Sequence, residues 1–386
     1  MGSVGHAEAM RDHIVIPDHL RPEDGRFGSG PSKVRPEGMD KLFSAAPQLL
    51  GTSHRQGPVR DIVRRVREGL AAFFSLDEGY EVALGNGGAT LFWDAAAHCL
   101  ISERSAHAVF GEFSAKFAAV TEAAPWLTDP VIVSSVPGTH PVVHPDPSVD
   151  LYALTHCETS TGVAMPISRP SPEGIVAVDA TSGAGGLVFA PSDCDAYYFS
   201  PQKSFGSEGG LWIALFSPAA VDRIGQIAAT GRHIPAMLDL RLALENSRLN
   251  QTYNTPAIAT LLLMAEQIDW LNARGGLEWA AGDCAAKAAH IYDWAETREW
   301  AAPFVEDPAQ RSNVVCTVDL DEAMPAERVT GILRGSGIVD TEAYRKLGRN
   351  QLRVAVFPAV DLSDVERLTA SIDYVVDALS SGIDAG

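Results

Sequence analysis

The chain has 386 residues, 46% apolar and 20% charged, values of a globular protein too long for one core and so expected to form a large and a smaller domain. A net charge of −19 argues against nucleic acid and anionic membranes as partners. No apolar run reaches membrane-spanning length, the N-terminus lacks a secretory pattern, and five scattered cysteines without a C-x-x-C pair point to reduced thiols and no metal site, so a cytoplasmic protein is expected.

Residues 1–26 read as a loosely patterned arm. From Gly57 the order is regular: Pro58 opens a helix whose apolar residues (Val59, Ile62, Val63, Val66, Leu70, Phe73) recur at helical spacing. Seven β-like runs follow, at 81–84, 106–110, 131–136, 151–155, 175–178, 196–199 and 211–216, with helical patterns at 89–100 and 113–123. Strands alternating with helices predict an α/β layer with a mostly parallel sheet. The link from Phe199 to Leu211 is too short for a crossover helix, so the last strand is expected to be antiparallel to its predecessor. A helix is expected from Pro256 to about Arg274, capped by Thr255 and stopped by Gly275-Gly276, and a second over 277–296. Strands at 313–320 and 351–357, a helix at 326–334 and a helix from Ser363, opened by a Ser363/Glu366 capping box, describe a compact α+β unit. The expected division is an arm (1–26), a large α/β domain (27–275) and a small C-terminal α+β domain (276–386).

Lys203 stands among small residues at a strand end and reads as a Schiff-base lysine; Asp179, 24 positions upstream, closes a neighbouring strand. A lysine paired with a carboxylate suggests pyridoxal phosphate, whose ring nitrogen needs such a partner. Gly88-Ala89-Thr90 leaves a strand and enters a helix, where backbone N–H groups can face a phosphate; a plain glycine-rich turn would read the same. Asn254-Thr255 is a second helix start, either a phosphate donor or a simple cap. Phe113 is able to stack on a planar ring or to sit in the core, and Thr159 to bond a ring hydroxyl. Arg345, Lys346, Arg349 and Arg353, with Ser53-His54-Arg55, form either a solvated surface or a pocket for a small, multiply anionic substrate.

The ordered set Gly88-Ala89-Thr90, Phe113, Thr159, Asp179, Gln202-Lys203 and Asn254-Thr255 resembles the cofactor series of fold-type I pyridoxal phosphate enzymes, the class V aminotransferases in particular. Gly28-Ser-Gly-Pro-Ser32, Ser53-His54-Arg55 and Leu352-Arg-Val-Ala-Val-Phe357 narrow the resemblance to the phosphoserine branch of that class, over residues 27 to 370. The chain departs from it at Ala89, where many members have arginine, at Phe113, where many have tryptophan, and at Tyr344-Arg345, where the common form carries a His-Arg pair.

The resemblance implies a large, mostly parallel seven-stranded α/β domain and pyridoxal 5'-phosphate bound by Gly88, Ala89, Thr90, Phe113, Thr159, Asp179, Gln202 and Lys203. It implies a homodimer in which Asn254 and Thr255 reach the cofactor phosphate of the opposite subunit. The expected reaction is ping-pong amino transfer between L-glutamate and 3-phosphohydroxypyruvate, giving O-phospho-L-serine and 2-oxoglutarate, with Lys203 and Asp179 catalytic and His54, Arg55, Arg345 and Arg353 on substrate. The alternative in the same class is a transaminase for small unphosphorylated amino acids, alanine or serine with glyoxylate. A cysteine desulfurase is disfavoured, since Cys316 lies inside an apolar strand pattern.

Overall fold

A computed structural model describes residues 14–381. The seven apolar runs become one sheet: β1 (Glu81–Asn86), β2 (Ser105–Val109), β3 (Val131–Ser134), β4 (Leu151–Thr155), β7 (Ile175–Asp179), β8 (Ala196–Phe199) and β9 (Leu211–Phe216). Between β4 and β7 lies a short hairpin, β5 (Cys157–Glu158) and β6 (Val163–Ala164). The sheet order is β1-β9-β8-β7-β4-β2-β3. β9 runs antiparallel to both its neighbours, as the short Phe199–Leu211 link requires, and the other six strands run the same way.

Strand residues alternate between two apolar layers. Leu84, Tyr197 and Phe199 meet α2 (Gly57–Phe73) and α7 (Ile258–Ala273) on one face. Ala83, Tyr198 and Trp212 meet α3 (Gly88–Cys99), α5 (Pro218–Ala229) and α6 (Leu240–Arg248) on the other. Burial on both faces is why these strands read as nearly continuous apolar runs. The C-terminal ends of β1, β2, β4, β7 and β8 share one edge of the sheet, the edge where α/β proteins place ligands. α4 (Glu112–Glu122) starts there, and α1 (Pro36–Leu49) lies against α7.

The C-terminal unit is the antiparallel sheet β10 (Ala301–Pro303), β11 (Val315–Leu320) and β12 (Gln351–Ala355), with α8 (Gly276–Glu296), α9 (Ala326–Gly335) and α10 (Leu362–Ser380). Its core takes in Ile16 and Phe27, and Ala355 N–H donates to Phe27 O at 3.0 Å, so the start of the chain is stitched to β12. Residues 1–13 of the expected arm and 382–386 of the expected small domain lie outside the described residues.

Two expected caps are not formed. α7 begins at Ile258, behind Ala257, and the Thr255 hydroxyl instead meets His54 Nδ1 at 3.2 Å. α10 begins at Leu362 behind Asp361, one residue before Ser363, and no side chain caps it; the Asp361 carboxylate is held by Lys33 Nζ at 3.0 Å.

Candidate active site

Lys203 follows β8 on the link to β9 and is buried. Its Nζ donates to Ser29 O, and its backbone carbonyl accepts from Ser32 Oγ at 2.6 Å, so the Gly28–Ser32 segment wraps the lysine from both sides. Gly30 is required there: its φ is +141°, and a Cβ would run into the end of the lysine side chain. Burial, then the nearby Arg353 guanidinium, pull the amine down to about 8. Against 10.5 for an ordinary lysine, that corresponds to a cost of about 3 kcal/mol for charging it, which keeps a reactive neutral fraction near neutral pH.

Asp179 ends β7, buried, and every group it bonds is neutral. Thr181 donates to Oδ1 through N–H at 3.0 Å and Oγ1 at 2.6 Å, and Trp93 Nε1 donates to Oδ2 at 2.9 Å. Burial raises its pKa, while Thr181, Trp93 and the charge of Lys203 oppose the rise. A buried carboxylate with no bonded cation is costly unless a cation arrives with the ligand.

At the neighbouring strand end, Gly87 (φ +112°) and Gly88 (φ +77°) turn the chain into α3, whose first turn carries Ala89 and Thr90. Ala89 N–H donates to Ser200 Oγ at 2.6 Å, three residues before Lys203, leaving that hydroxyl's own proton for another acceptor. Gln202 Oε1 is buried without a partner.

Phe113 opens α4 and is set by Glu158. The fully buried Glu158 carboxylate accepts from Phe113 N–H at 3.1 Å, Ser114 N–H at 2.9 Å, Ser114 Oγ at 2.9 Å and Ser160 Oγ at 2.7 Å. It thus meets the positive end of the helix in place of a cation. Thr159, beside it, pairs its hydroxyl with Ser182, and its carbonyl accepts from Arg353 at 3.3 Å.

On the outer side of the Gly28–Pro31 segment lies a cavity of about 1230 Å³, closed by residues from 325–330 and 340–353 and lined by none of Lys203, Asp179, Phe113 and Thr159. Its charges are unevenly compensated. Lys346 pairs with Glu112 at 2.5 Å, Arg349 with Asp319, and the acidic Asp340 and Glu342 are both taken by Arg334 at 2.9 and 2.8 Å. Arg345 and Arg353 have no carboxylate partner among the described residues. Arg353 leans on the Tyr344 ring at 5.4 Å, its Nε is buried and unpaired, and burial lowers its pKa. Tyr344 in turn lies 6.1 Å from the Phe113 ring.

The other expected residues gather elsewhere. His54 meets Thr255, Arg55 donates to Gln251 Oε1 at 2.9 Å, and Asn86, at the end of β1, donates to Thr255 O at 3.0 Å. Asn254, Thr255 and Arg55 are exposed, and His54 Nε2 is unpaired. This cluster reaches the first site through Asn86, at the start of the β1–α3 turn. Sequence reading missed Trp93, Thr181, Ser200 and Glu158. Trp93 falls one turn after Thr90 on the same helix, a spacing that offered a signal; Glu158 offered none, because its function is set by a helix 45 residues away in sequence.

The donor set fits pyridoxal phosphate: a buried amine, a buried carboxylate without a bonded cation, a helix N-terminus with a free hydroxyl proton, and a half-buried aromatic. No group of three or more potential metal-ligating side chains occurs among the described residues. All five cysteines are buried, and burial pushes the Cys316 thiol up to about 12, so no thiol here is a ready nucleophile.

Residues 138–341 match the family model described as aminotransferase class-V. The chain is 58% identical over 372 residues to a phosphoserine aminotransferase of Rhodococcus opacus, covering 96% of this chain and all of that protein, and 56% identical over 374 residues to one of Nocardioides sp., with the same coverage. Among solved structures it superposes on a phosphoserine aminotransferase of Cytophaga hutchinsonii with a TM-score of 0.85 at 23% identity, over 91% of this chain and 99% of that one. An alanine–glyoxylate aminotransferase of Nostoc sp. has the same fold, with a TM-score of 0.76 at 16% identity over 94% of this chain and 97% of that one.

Proposed function

The chain belongs to the phosphoserine aminotransferases of the aminotransferase class-V family, and from that membership we propose how its residues divide a reversible amino transfer between L-glutamate and 3-phosphohydroxypyruvate. Pyridoxal 5'-phosphate supplies an aldehyde that takes up the amino group and a ring that accepts electrons from the substrate's α carbon. Gly88, Ala89, Thr90 and Gln202 would hold its phosphate, Phe113 would stack on the ring, Thr159 would bond the ring oxygen, and Asp179 would pair with the ring nitrogen. Lys203 would hold the aldehyde end of the cofactor, and its Nζ, once free, would take the proton from the amino acid's Cα and, in the reverse direction, return one to the keto acid's α carbon.

Arg353 clamps the α-carboxylate common to both substrate pairs, a task suited to a planar guanidinium. Arg345, with His54 and Arg55, takes the substrate phosphate or the distal carboxylate of glutamate. The large unit, 27–275, carries the cofactor groups, and the unit from 276 onward carries Arg345 and Arg353. Because Asn254, Thr255 and Arg55 are exposed around a half-buried His54 whose Nε2 is unsatisfied, a homodimer that turns this cluster toward the partner's site accounts for it. Sedimentation should show a dimer, and a fully active monomer would contradict the shared site. No helix among the described residues is long and apolar enough to cross a membrane.

The observation that carries the phosphate reading is the pair of uncompensated guanidinia, Arg345 and Arg353, lining a cavity whose other cations are already neutralised. It is tested by kcat/KM for O-phospho-L-serine against L-serine and L-alanine with 2-oxoglutarate. Preference for the phosphorylated donor by about 10²-fold or more is expected from one or two charge-assisted contacts. Equal values would make the enzyme a transaminase of plain small amino acids.

A further inference from the structure

Asp179 owes its orientation to groups with no part in the chemistry proposed above. Thr181 supplies two donors to Oδ1, and the Trp93 indole supplies one to Oδ2. The Tyr198 hydroxyl, opposite Asp179 in the β7–β8 register, lies near both but outside hydrogen-bond geometry. We propose that Trp93 is a positioning residue for the amino transfer, its indole N–H fixing the Asp179 carboxylate so that Oδ2 keeps a free lone pair aimed at the ring nitrogen of the bound cofactor. This rests on the assignment of Asp179 to that nitrogen.

Three observations support it. First, the acceptor count is right: Oδ1 already takes two hydrogen bonds and Oδ2 only one, so a further donor is best accommodated at Oδ2, and the indole sets the direction from which it approaches. Second, Trp93 lies three residues beyond Thr90 on α3, about one helical turn. The helix that offers its first turn to the cofactor phosphate therefore also fixes the carboxylate assigned to the ring nitrogen, and one rigid element sets both ends of the cofactor's seat. Third, the indole is packed in place. It is 4% exposed and stacks on Phe117 at 6.4 Å with an interplanar angle of 15°. An N–H donor to a buried carboxylate also favours its ionised form, the form a protonated ring nitrogen needs.

The test compares Trp93→Phe, Asp179→Asn and the double variant, with three readouts: affinity of the apoprotein for pyridoxal 5'-phosphate by absorbance, melting temperature of the apoprotein, and the half-reaction with O-phospho-L-serine. For Trp93→Phe the limiting rate of the half-reaction should fall about 10- to 100-fold and cofactor affinity about tenfold, while the half-saturating phosphoserine concentration stays within about twofold. The double variant should be no slower than Asp179→Asn alone, since the indole acts only through that carboxylate. A Trp93→Phe protein with wild-type rate and affinity, or losses that add to those of Asp179→Asn, would overturn the proposal. A wild-type rate for Asp179→Asn would overturn the Asp179 assignment and this inference with it. If Trp93→Phe melts far below wild type, β-(3-benzothienyl)alanine at position 93 replaces the N–H by sulfur at nearly constant volume, with the same expected and contradicting results.

Discussion

The floor and the rim of the site are built on opposite principles. On the floor, Lys203, Asp179 and the α3 turn stand at the ends of buried strands and are held by neutral groups: Ser29 O accepts from Lys203, Thr181 and Trp93 donate to Asp179, and Ser200 Oγ accepts from Ala89. On the rim, the 344–353 segment carries four cations and no carboxylate of its own; Glu112 and Asp319 pair with Lys346 and Arg349, and Arg345 is exposed. The floor groups are oriented before any ligand arrives and Asp179 lacks only a cation, whereas the rim lacks an anion. Pre-organised electrostatics of the first kind sets the rate of chemistry, and uncompensated charge of the second kind sets which anion is retained.

Changes on the floor should cost the most. Lys203→Ala should lower turnover by at least about 10⁴-fold and abolish the visible absorption of the cofactor-loaded protein. Retention of either would move the anchoring amine elsewhere. At the border of the two regions, Arg353→Ala should reduce kcat/KM by about 10²- to 10³-fold on glutamate and phosphoserine alike, because both carry the α-carboxylate. Arg353→Lys should restore little of it, lacking the planar fork; a loss confined to one substrate would reassign this arginine. A smaller effect concerns pH. Since burial holds the Lys203 amine at about 8, the association rate of apoprotein with the aldehyde cofactor should rise with pH through about 8 and level off above it. A midpoint near 10.5 would mean that the amine is solvated before the cofactor enters.

The same contrast decides what a reader of the sequence can see. Strand ends are legible: the seven apolar runs locate every strand of the large sheet, and with them the positions of Lys203 and Asp179 at one edge. α1 is missed because its apolar stripe, Leu42, Ala45 and Leu49, is short and weak: only Gly38 and Leu49 are buried, Phe43 is 83% exposed, and Pro47 lies inside it. α6 did carry a signal, Leu240, Ala243, Leu244 and Ser247 at helical spacing behind the Asp239 cap. The expected Thr255 cap fails because capping chemistry is local while the partner that takes its hydroxyl, His54, comes from far along the chain; the Ser363 cap fails because α10 begins one residue earlier, behind an Asp361 whose carboxylate is held by Lys33. Glu158 and Trp93 escape notice for the same reason. Which donor a buried carboxylate meets depends on packing between elements, and one sequence does not state it.

The division between floor and rim is tested most directly by following the half-reaction with O-phospho-L-serine by stopped-flow absorbance for Trp93→Phe and Arg345→Ala side by side. The account predicts a lowered limiting rate with unchanged saturation for the first, and for the second an unchanged limiting rate with half-saturation raised about tenfold. If Arg345→Ala lowers the limiting rate and leaves saturation where it was, the rim takes part in the chemistry and the division is wrong.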